Sequence, residues 1–477
     1  MEFVSRLRLA LFTRTSYGSI MPASTSALLE VDMDLTRTVV GGLGVTGQAV
    51  VRALKTRGHE VIAIDDRPEL VSAIATKLEV ELVSGISETE VRKVLSDASS
   101  LILSPGIPEH HPINRIAGLS DLEILSELDL GAQWDERPRI AITGTNGKTT
   151  VTHLVREMLC QSGLSAIATG NSEVPFADAV QISPEDCEMF VVEASSFDLE
   201  RARYFRSDAA AWLNLSPDHL DWHGDFESYA SAKAKIFQGQ RASDFAVLPV
   251  KGDSMAPWLP QLEAQLVTFG LSEGDVCCAG DHLVAHGEQI IAISDLPLSR
   301  PHDLLNAAAA SALAKSMGVS GQAIGEALSE FEGLGHRMEY LQTIGGIRFF
   351  NDSKATTPHA TIAGVSGLRN SVLIAGGRNK GLDLTLLETL VPMLDGVVAI
   401  GECAEEVSEV FKGALEVLRA TSMEEAVRKA REIAASGSGN IILSPACASF
   451  DWYQNYEQRG DDFRRIVGQM VKEYQAR

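Results

Sequence analysis

From Thr38 onward, short β-branched runs alternate with helical stretches, and this alternation constrains the fold more than any other feature. The runs Val61-Ile62-Ala63-Ile64, Ile140-Ala141-Ile142, Phe190-Val191-Val192, Val372-Leu373-Ile374, Val397-Val398-Ala399-Ile400 and Ile441-Ile442-Leu443 are bounded by Gly, Asp, Ser or Pro. Apolar strands of this kind, with helices between them, belong to parallel sheets covered on both faces. The expected class is therefore α/β. A chain of 477 residues has room for about three domains. Breaks are read near Gln133 to Pro138 and at Gly333-Leu334-Gly335. The expected domains are a Rossmann-like one over 37–126, a central P-loop ATPase-like one over 127–333 and a Rossmann-like C-terminal one over 334–477.

Residues 3 to 29 stand apart: Arg6, Arg8 and Arg14 occur among Ser, Thr and apolar residues without an Asp or Glu. That is the composition of an organelle transit segment, or of an upstream start with Met21 or Met33 as the real beginning. Residues 1–36 are accordingly left out of the fold. Lys and Arg number 41 against 64 Asp and Glu, a net charge of −23, which excludes a general nucleic-acid or anionic-membrane binder. Any phosphate ligand must be held by a local positive site. Six scattered cysteines without a C-x-x-C pair point to a reduced cytoplasm, and no apolar run approaches the ~18 residues of a membrane span.

Two glycine loops compete for a phosphate ligand. The first, Val39 to Gly47, has Gly42, Gly44 and Gly47 in G-x-G-x-x-G register, with Asp65 closing the next strand. Alone it suggests a dinucleotide enzyme or a turn needed only for packing. The second is Ile140-Ala141-Ile142-Thr143-Gly144-Thr145-Asn146-Gly147-Lys148-Thr149-Thr150. Here a strand runs into G-K-T at a helix start: backbone N–H groups form an anion nest, Lys148 reaches the β- and γ-phosphates, and the Thr149 hydroxyl is placed for Mg²⁺. Ile142 stands where the common P-loop has its first glycine. With ATP on the second loop, the first is free for another diphosphate such as a nucleotide sugar.

Three further groups lie in the middle of the chain. Glu193 closes a strand in Glu193-Ala194-Ser195-Ser196-Phe197 and is placed to hold Mg²⁺. Asp218, His219, Asp221 and His223 crowd six residues, which reads either as a metal site or as a capped helix start. Lys233, on composition alone, would be an exposed helix residue.

In order, Gly144 to Thr149, Glu193 to Phe197, Asp218 to Asp221 and Gly335-His336-Arg337 resemble the Mur ligases. Asn351-Asp352-Ser353-Lys354-Ala355-Thr356, Ser444 to Asp451 and Asn455 to Gly460 are similar to the family's D-glutamate-adding members. The resemblance runs from about Thr38 to the C-terminal region. It implies a cytoplasmic, monomeric enzyme of peptidoglycan synthesis that uses ATP, two Mg²⁺ ions, UDP-N-acetylmuramoyl-L-alanine and D-glutamate, and proceeds through an acyl phosphate. It implies that Thr149 and Glu193 serve one Mg²⁺ and His219 the second, and that Lys233 becomes a carbamate with CO₂. Lys233 is favoured over Lys235 because Tyr229 precedes it by four.

By the same resemblance Val45, Thr46, Asp65, Arg67, Ser104 and Asn171 line the UDP-sugar site. Asn306, Arg337 and Asp352 border ATP, while Thr356, Lys380, Ser449, Phe450 and Tyr456 hold D-glutamate, with Lys354 beside the reacting groups. Four positions depart from the family pattern: Asp303, Asp198, Arg378 and the Asn171-Ser172-Glu173 segment. Three other readings compete. A dehydrogenase leaves the P-loop idle, and a nucleotide switch leaves the C-terminal motifs unexplained. Another amide ligase of the family would differ in its N-terminal domain and carboxylate clamp.

Overall fold

The computed structural model describes residues 33–84, 88–108, 110–118, 122–171, 173–252, 254–379, 381–434 and 439–475. The reading of residues 1–32 and of Lys380 falls outside these. The chain divides into two compact units, one ending at Phe331 and the other beginning at Glu332.

The first unit holds two sheets. The first is all parallel, in the order β3-β2-β1-β4-β5, from β1 (Arg37–Gly41), β2 (Glu60–Asp65), β3 (Glu81–Ser84), β4 (Ser100–Leu103) and β5 (Glu123–Leu125). Alternation within each strand divides its side chains between two cores. Val39, Ile62 and Leu101 pack on one face, Val40, Ala63 and Ile102 on the other. The order reverses between β1 and β4, so the crevice at their C-terminal ends falls beside the first glycine loop.

The second sheet runs β14-β13-β12-β11-β10-β9-β6-β8-β7. Its strands are β6 (Arg139–Thr143), β7 (Ala166–Gly170), β8 (Met189–Glu193), β9 (Ala209–Trp212), β10 (Phe245–Pro249), β11 (Gln265–Phe269), β12 (Val276–Ala279), β13 (His282–Ala285) and β14 (Glu288–Ala292). Ile140 and Ile142 face the helices Lys148–Gln161 and Pro301–Ser316, whose Ala307 to Ala310 are all buried, and small side chains there let the helices approach the sheet closely. Ala141 faces the opposite layer with Phe176, Phe190 and Trp212. The sheet departs from the all-parallel expectation, because β12, β13 and β14 pair antiparallel.

The second unit carries the sheet β15-β16-β20-β17-β18-β19, from β15 (Glu339–Ile344), β16 (Ile347–Asn351), β17 (Ser371–Gly376), β18 (Leu394–Ile400), β19 (Glu416–Ala420) and β20 (Asn440–Leu443). β16 to β19 are mutually parallel, and β15 adds an antiparallel edge.

Candidate active site

β6 feeds the phosphate loop into the helix Lys148–Gln161. The turn needs a left-handed residue at Gly147, φ +85°, and a Cβ there would sit 2.5 Å from Asn306 Oδ1. The loop is clamped from β9's exit: Asn146 N–H donates to Asn214 Oδ1, and Asn214 Nδ2 donates to the Asn146 carbonyl, both at 2.9 Å. Thr145 Oγ1 donates to the Ser216 carbonyl at 3.1 Å and shares a 3.0 Å hydrogen bond with the Tyr229 hydroxyl. The nest is therefore built before any phosphate arrives.

Two lysines converge on one carbonyl. Lys148 Nζ and Lys233 Nζ each donate to Gly144 O at 2.8 Å, and Lys148 also donates to Thr145 O at 3.0 Å. Lys233, in the helix Phe226–Ala234, is 1% exposed. Burial depresses its pKa well below the ordinary lysine value and Lys148 adds to this, with Asp218 and Glu193 opposing. Lys235, by contrast, pairs with Glu200 at 3.0 Å.

Glu193 ends β8 beside the P-loop strand, in register with Ile142, and is 1% exposed. Asn171 Nδ2 donates to its Oε1 at 3.0 Å, and Asn171 N–H donates to its carbonyl at 2.9 Å. This approach of the ends of β7 and β8 requires Gly170, φ +103°, because a Cβ would lie 2.2 Å from the Glu193 carbonyl oxygen. Asn171, expected with the UDP-sugar residues, thus sits on the carboxylate beside the P-loop.

Among the described residues no three His, Cys, Asp or Glu side chains gather as a metal cluster. Mg²⁺ does not ask for one: it binds through one or two carboxylates plus substrate phosphates and retains waters. A buried Glu193 beside the Thr149 helix start fits that requirement. The dense Asp-His segment splits in two. His219, at φ +53°, starts the helix Leu220–His223, lies 3.4 Å from Asp218 Oδ2 and packs edge-on against Phe197. His223 instead stacks on Phe197 and bonds Ser196 Oγ at 3.0 Å; burial, with His219 and Lys233, pushes its pKa down to about 4. It is a neutral core imidazole.

Asn306 opens onto a cleft of about 280 Å³ at the C-terminal edge of the second sheet, lined by Asn214, Pro249, Lys251, Phe269, Leu271 and Leu305 among others. The cleft adjoins the phosphate loop through Asn214 and Asn306. Its mostly apolar walls with an amide at the rim suit a purine base.

At the first sheet's crevice Val45 is 72% exposed at a helix start, next to Thr46. Ser104 Oγ donates to the Gly42 carbonyl at 2.8 Å. Asp65 Oδ2 accepts from Leu43 N–H at 2.9 Å, and Arg67 binds the same carboxylate through its backbone and guanidinium N–H groups at 3.0–3.2 Å. Asp65 therefore ties the strand end to the glycine loop and pre-places Arg67 at the rim of a pocket lined by Gly42, Asp66, Arg67 and His111.

In the second unit Lys354 Nζ donates to the Tyr456 hydroxyl at 2.8 Å. Ser353 Oγ donates to the Tyr456 carbonyl at 2.8 Å and accepts from Arg459 Nε at 3.0 Å. Arg459 also donates to the carbonyls of Ser353 and Cys447 at 2.8 and 3.0 Å. It is 1% exposed, and burial lowers its pKa to about 10. Asp352 accepts from Met338 N–H at 3.1 Å and from Ser444 Oγ at 2.7 Å. Thr356 follows on the same loop, its N–H on the Lys354 carbonyl, while Arg337 stands just before β15 with its N–H on the Leu334 carbonyl. Ser449 is buried and Phe450 is 56% exposed beside it.

Three family models match consecutive parts of the chain: the Mur ligase MurD-like N-terminal domain at residues 36–126, the Mur ligase middle domain at 142–314 and the Mur ligase glutamate ligase domain at 336–447. A relative from Methylococcus capsulatus, named UDP-N-acetylmuramoylalanine–D-glutamate ligase, is 37% identical over 459 residues, 93% of this chain and 97% of the relative. One of the same name from Caldanaerobacter subterraneus is 37% identical over 450 residues, 90% of this chain and 98% of the relative. The chain belongs to the Mur ligase family. It is an ATP-dependent amide ligase, and its fold is shared with the solved MurF ligase from Thermotoga maritima in complex with ADP, at TM-score 0.58 and 16% identity over 91% of this chain and 99% of that one.

Within the Mur ligase frame each departure has a local partner. Asp198 accepts from Ser195 N–H and Oγ as a helix cap. Glu173 pairs with His153 at 2.7 Å, Arg378 with Glu402 at 2.7 Å and Asp303 with Arg300 at 2.8 Å. Asn214, Arg459 and Arg201 were not singled out from the sequence. Arg201 donates to the carbonyls of Ser104 and Ile107 at 3.2 and 2.6 Å and lies over Trp222, joining the first sheet's crevice to the His219 segment.

Proposed function

We propose that this Mur ligase joins D-glutamate to UDP-N-acetylmuramoyl-L-alanine at the expense of ATP, acting as a monomer. The ATP phosphates lie on the Gly144 to Thr150 loop, with the base in the cleft beside Asn306. The sugar nucleotide is held by Val45, Thr46, Asp65, Arg67, Ser104 and Asn171. D-Glutamate is held by Thr356, Lys380, Ser449, Phe450 and Tyr456. Arg337 and Asp352 border the nucleotide. The domain limits 37–126, 127–333 and 334–477 describe this division of labour.

At neutral pH a carboxylate does not condense with an amine, because its carbonyl is a poor electrophile and oxide a poor leaving group. Transfer of the γ-phosphoryl group to the L-alanyl carboxylate supplies a phosphate leaving group, and the D-glutamate nitrogen then displaces it. Lys148 leaves the loop carbonyls it now holds and meets the γ-phosphate; Lys354, fixed by Tyr456, stands at the reacting carboxyl. Thr149 and Glu193 would hold one Mg²⁺, and His219 with the Lys233 carbamate the second. Bound there, the ions would supply positive charge against that developing on the transferred phosphoryl group.

The single observation that carries the reading is the meeting of Lys148 and buried Lys233 at the Gly144 carbonyl. An ammonium in that position repels its neighbour, whereas a carbamate attracts it. The test is phosphate release from ATP with each substrate omitted in turn. Release should require both the UDP-sugar and D-glutamate. Release that is indifferent to either refutes the ligase assignment, and release driven by a different amino acid reassigns the second substrate.

A further inference from the structure

Two cysteines lie together outside the residues given a role so far. Cys403 Sγ and Cys447 Sγ are 3.1 Å apart, at 6% and 1% exposure, although 44 residues separate them in sequence. Cys403 follows β18 and N-caps the helix Ala404–Phe411. Cys447 follows β20. Because β17 lies between β20 and β18, the pair reaches across the end of β17, where Gly376 and Gly377 turn the chain. Cys403 N–H donates to the Gly377 carbonyl at 2.9 Å, and Arg378 and Ala448 exchange backbone hydrogen bonds at 2.9 and 3.0 Å. Cys447 lies on the loop after β20 that leads to Ser449, and Cys403, on the loop after β18, holds the Gly377 carbonyl at the start of the loop that leads to Lys380.

We propose that Cys403 and Cys447 are a modification site: a dithiol that hydrogen peroxide converts reversibly to a disulfide, drawing the loop after β18, which holds the Gly377 carbonyl, toward the loop that carries Ser449. The effect on catalysis rests on the ligase reading; the chemistry of the pair does not.

The two sulfurs are chemically unequal. The Cys447 thiol, as hydrogen-bond partner, lowers the Cys403 pKa, outweighing burial, and the same partner and burial raise that of Cys447. Position at a helix N-terminus favours a thiolate in the same sense. Cys403 is therefore the nucleophile and Cys447 the resolving thiol. The Cys403 sulfur attacks one peroxide oxygen, the O–O bond breaks, and a sulfenic acid and one water form. The Cys447 sulfur then attacks the sulfenic sulfur; the S–O bond breaks, the S–S bond forms, and the Cys447 proton leaves with the hydroxyl as a second water. Two thiols lose two electrons and peroxide gains them. Burial admits an oxidant of about water's size and resists a bulky disulfide such as oxidised glutathione. Closing from 3.1 Å to a bond of about 2.05 Å brings the sulfurs about 1 Å nearer, and a shift of that size passed along the loops to substrate-positioning groups costs on the order of 10²-fold in rate.

The full chain is treated with hydrogen peroxide, alkylated, digested and read by mass spectrometry with and without reduction, alongside the Cys403→Ser variant. The expected result is a linked Cys403–Cys447 peptide. Ligation should fall at least tenfold and return with dithiothreitol, and Cys403→Ser should hold its activity through the same treatment. Absence of the linked peptide, oxidation confined to other cysteines, or equal inactivation of Cys403→Ser overturns the proposal. A linked peptide in a protein that, reduced, joins no substrates upholds the modification site and refutes the ligase reading instead.

Discussion

Lys233→Ala isolates the charge that the middle domain needs. The Lys233 side chain is buried and its amino group gives a hydrogen bond to Gly144 O, yet Lys148 donates to the same oxygen at 2.8 Å, so truncation leaves no orphaned carbonyl. The loss is one hydrogen bond, about 1 kcal/mol, plus the packing of the side-chain stem. Against it stands relief from the cost of enclosing a lysine, which must be either desolvated as an ion, an effective penalty of several kcal/mol, or deprotonated below its ordinary pKa. The folded state is therefore expected to be as stable as the wild type or more so. Activity behaves differently. CO₂ adds only to the free base, and at pH 7 an exposed lysine keeps about one amine in 2,500 in that form; burial beside Lys148 raises the fraction. A preorganised charge of this kind is worth roughly 3 kcal/mol, or on the order of 10²–10³ in kcat. The assay measures D-glutamyl product and thermal melting on the same samples. The variant should keep its Tm, lose that factor in kcat, and regain tenfold or more with added formate or acetate standing in for the carbamate. Full activity in the unsupplemented variant sinks the argument, as does a loss that follows a collapse in Tm.

Gly147→Ala forces a Cβ to 2.5 Å from Asn306 Oδ1 at φ +85°. About 1–2 kcal/mol of backbone cost and a displaced Asn306 should lower Tm by a few degrees and raise the ATP KM at least tenfold, and an unchanged KM contradicts the clamped-loop reading. Glu127 is buried, with its carboxylate on Ala177 N–H, and burial, aided by Asp198 and Asp178, raises its pKa from 4.5 to about 8. The folded chain thus keeps a proton that the unfolded chain sheds, so Glu127 costs stability progressively as pH rises from about 4.5 to about 8. Glu127→Gln keeps the acceptor, and its Tm advantage over wild type should grow between pH 5 and pH 8; a pH-independent difference in melting curves rules this out.

The α/β class was legible because buried parallel strands write themselves as apolar runs. The antiparallel additions were not, since attention to β-branched runs passes over short, half-exposed strands. Their signal lay in the turns: His286-Gly287 and Gly345-Gly346 each supply two consecutive residues at positive φ, the backbone that two-residue hairpins demand. The phosphate loop was readable for a local reason, since strand, loop and helix start are contiguous. The clamp on that loop was not, because Asn214 reaches Asn146 from another strand. His219 and His223 show the limit of composition. Four residues apart, both touch Phe197, but His219 lies edge-on beside Asp218 whereas His223 stacks on the ring and bonds Ser196, a difference that only tertiary packing sets.

A chain with net charge −23 that uses ATP must solve its electrostatics locally. At the second glycine loop it does so with Lys148 and Lys233 on one carbonyl, an arrangement that is self-repelling while both are ammonium ions. Burial resolves the conflict in one direction only, because it penalises the charge on the enclosed lysine, leaving Lys148 as the cation that meets phosphate. A neutral amine in that position is a nucleophile toward CO₂, and the proposed carbamate would reverse the sign of the interaction with Lys148. The same burial that makes Lys233 a poor surface lysine is what fits it to the modification proposed. Charge placement, more than side-chain identity, is what distinguishes it from Lys235 two residues on, where Glu200 satisfies an ordinary ammonium.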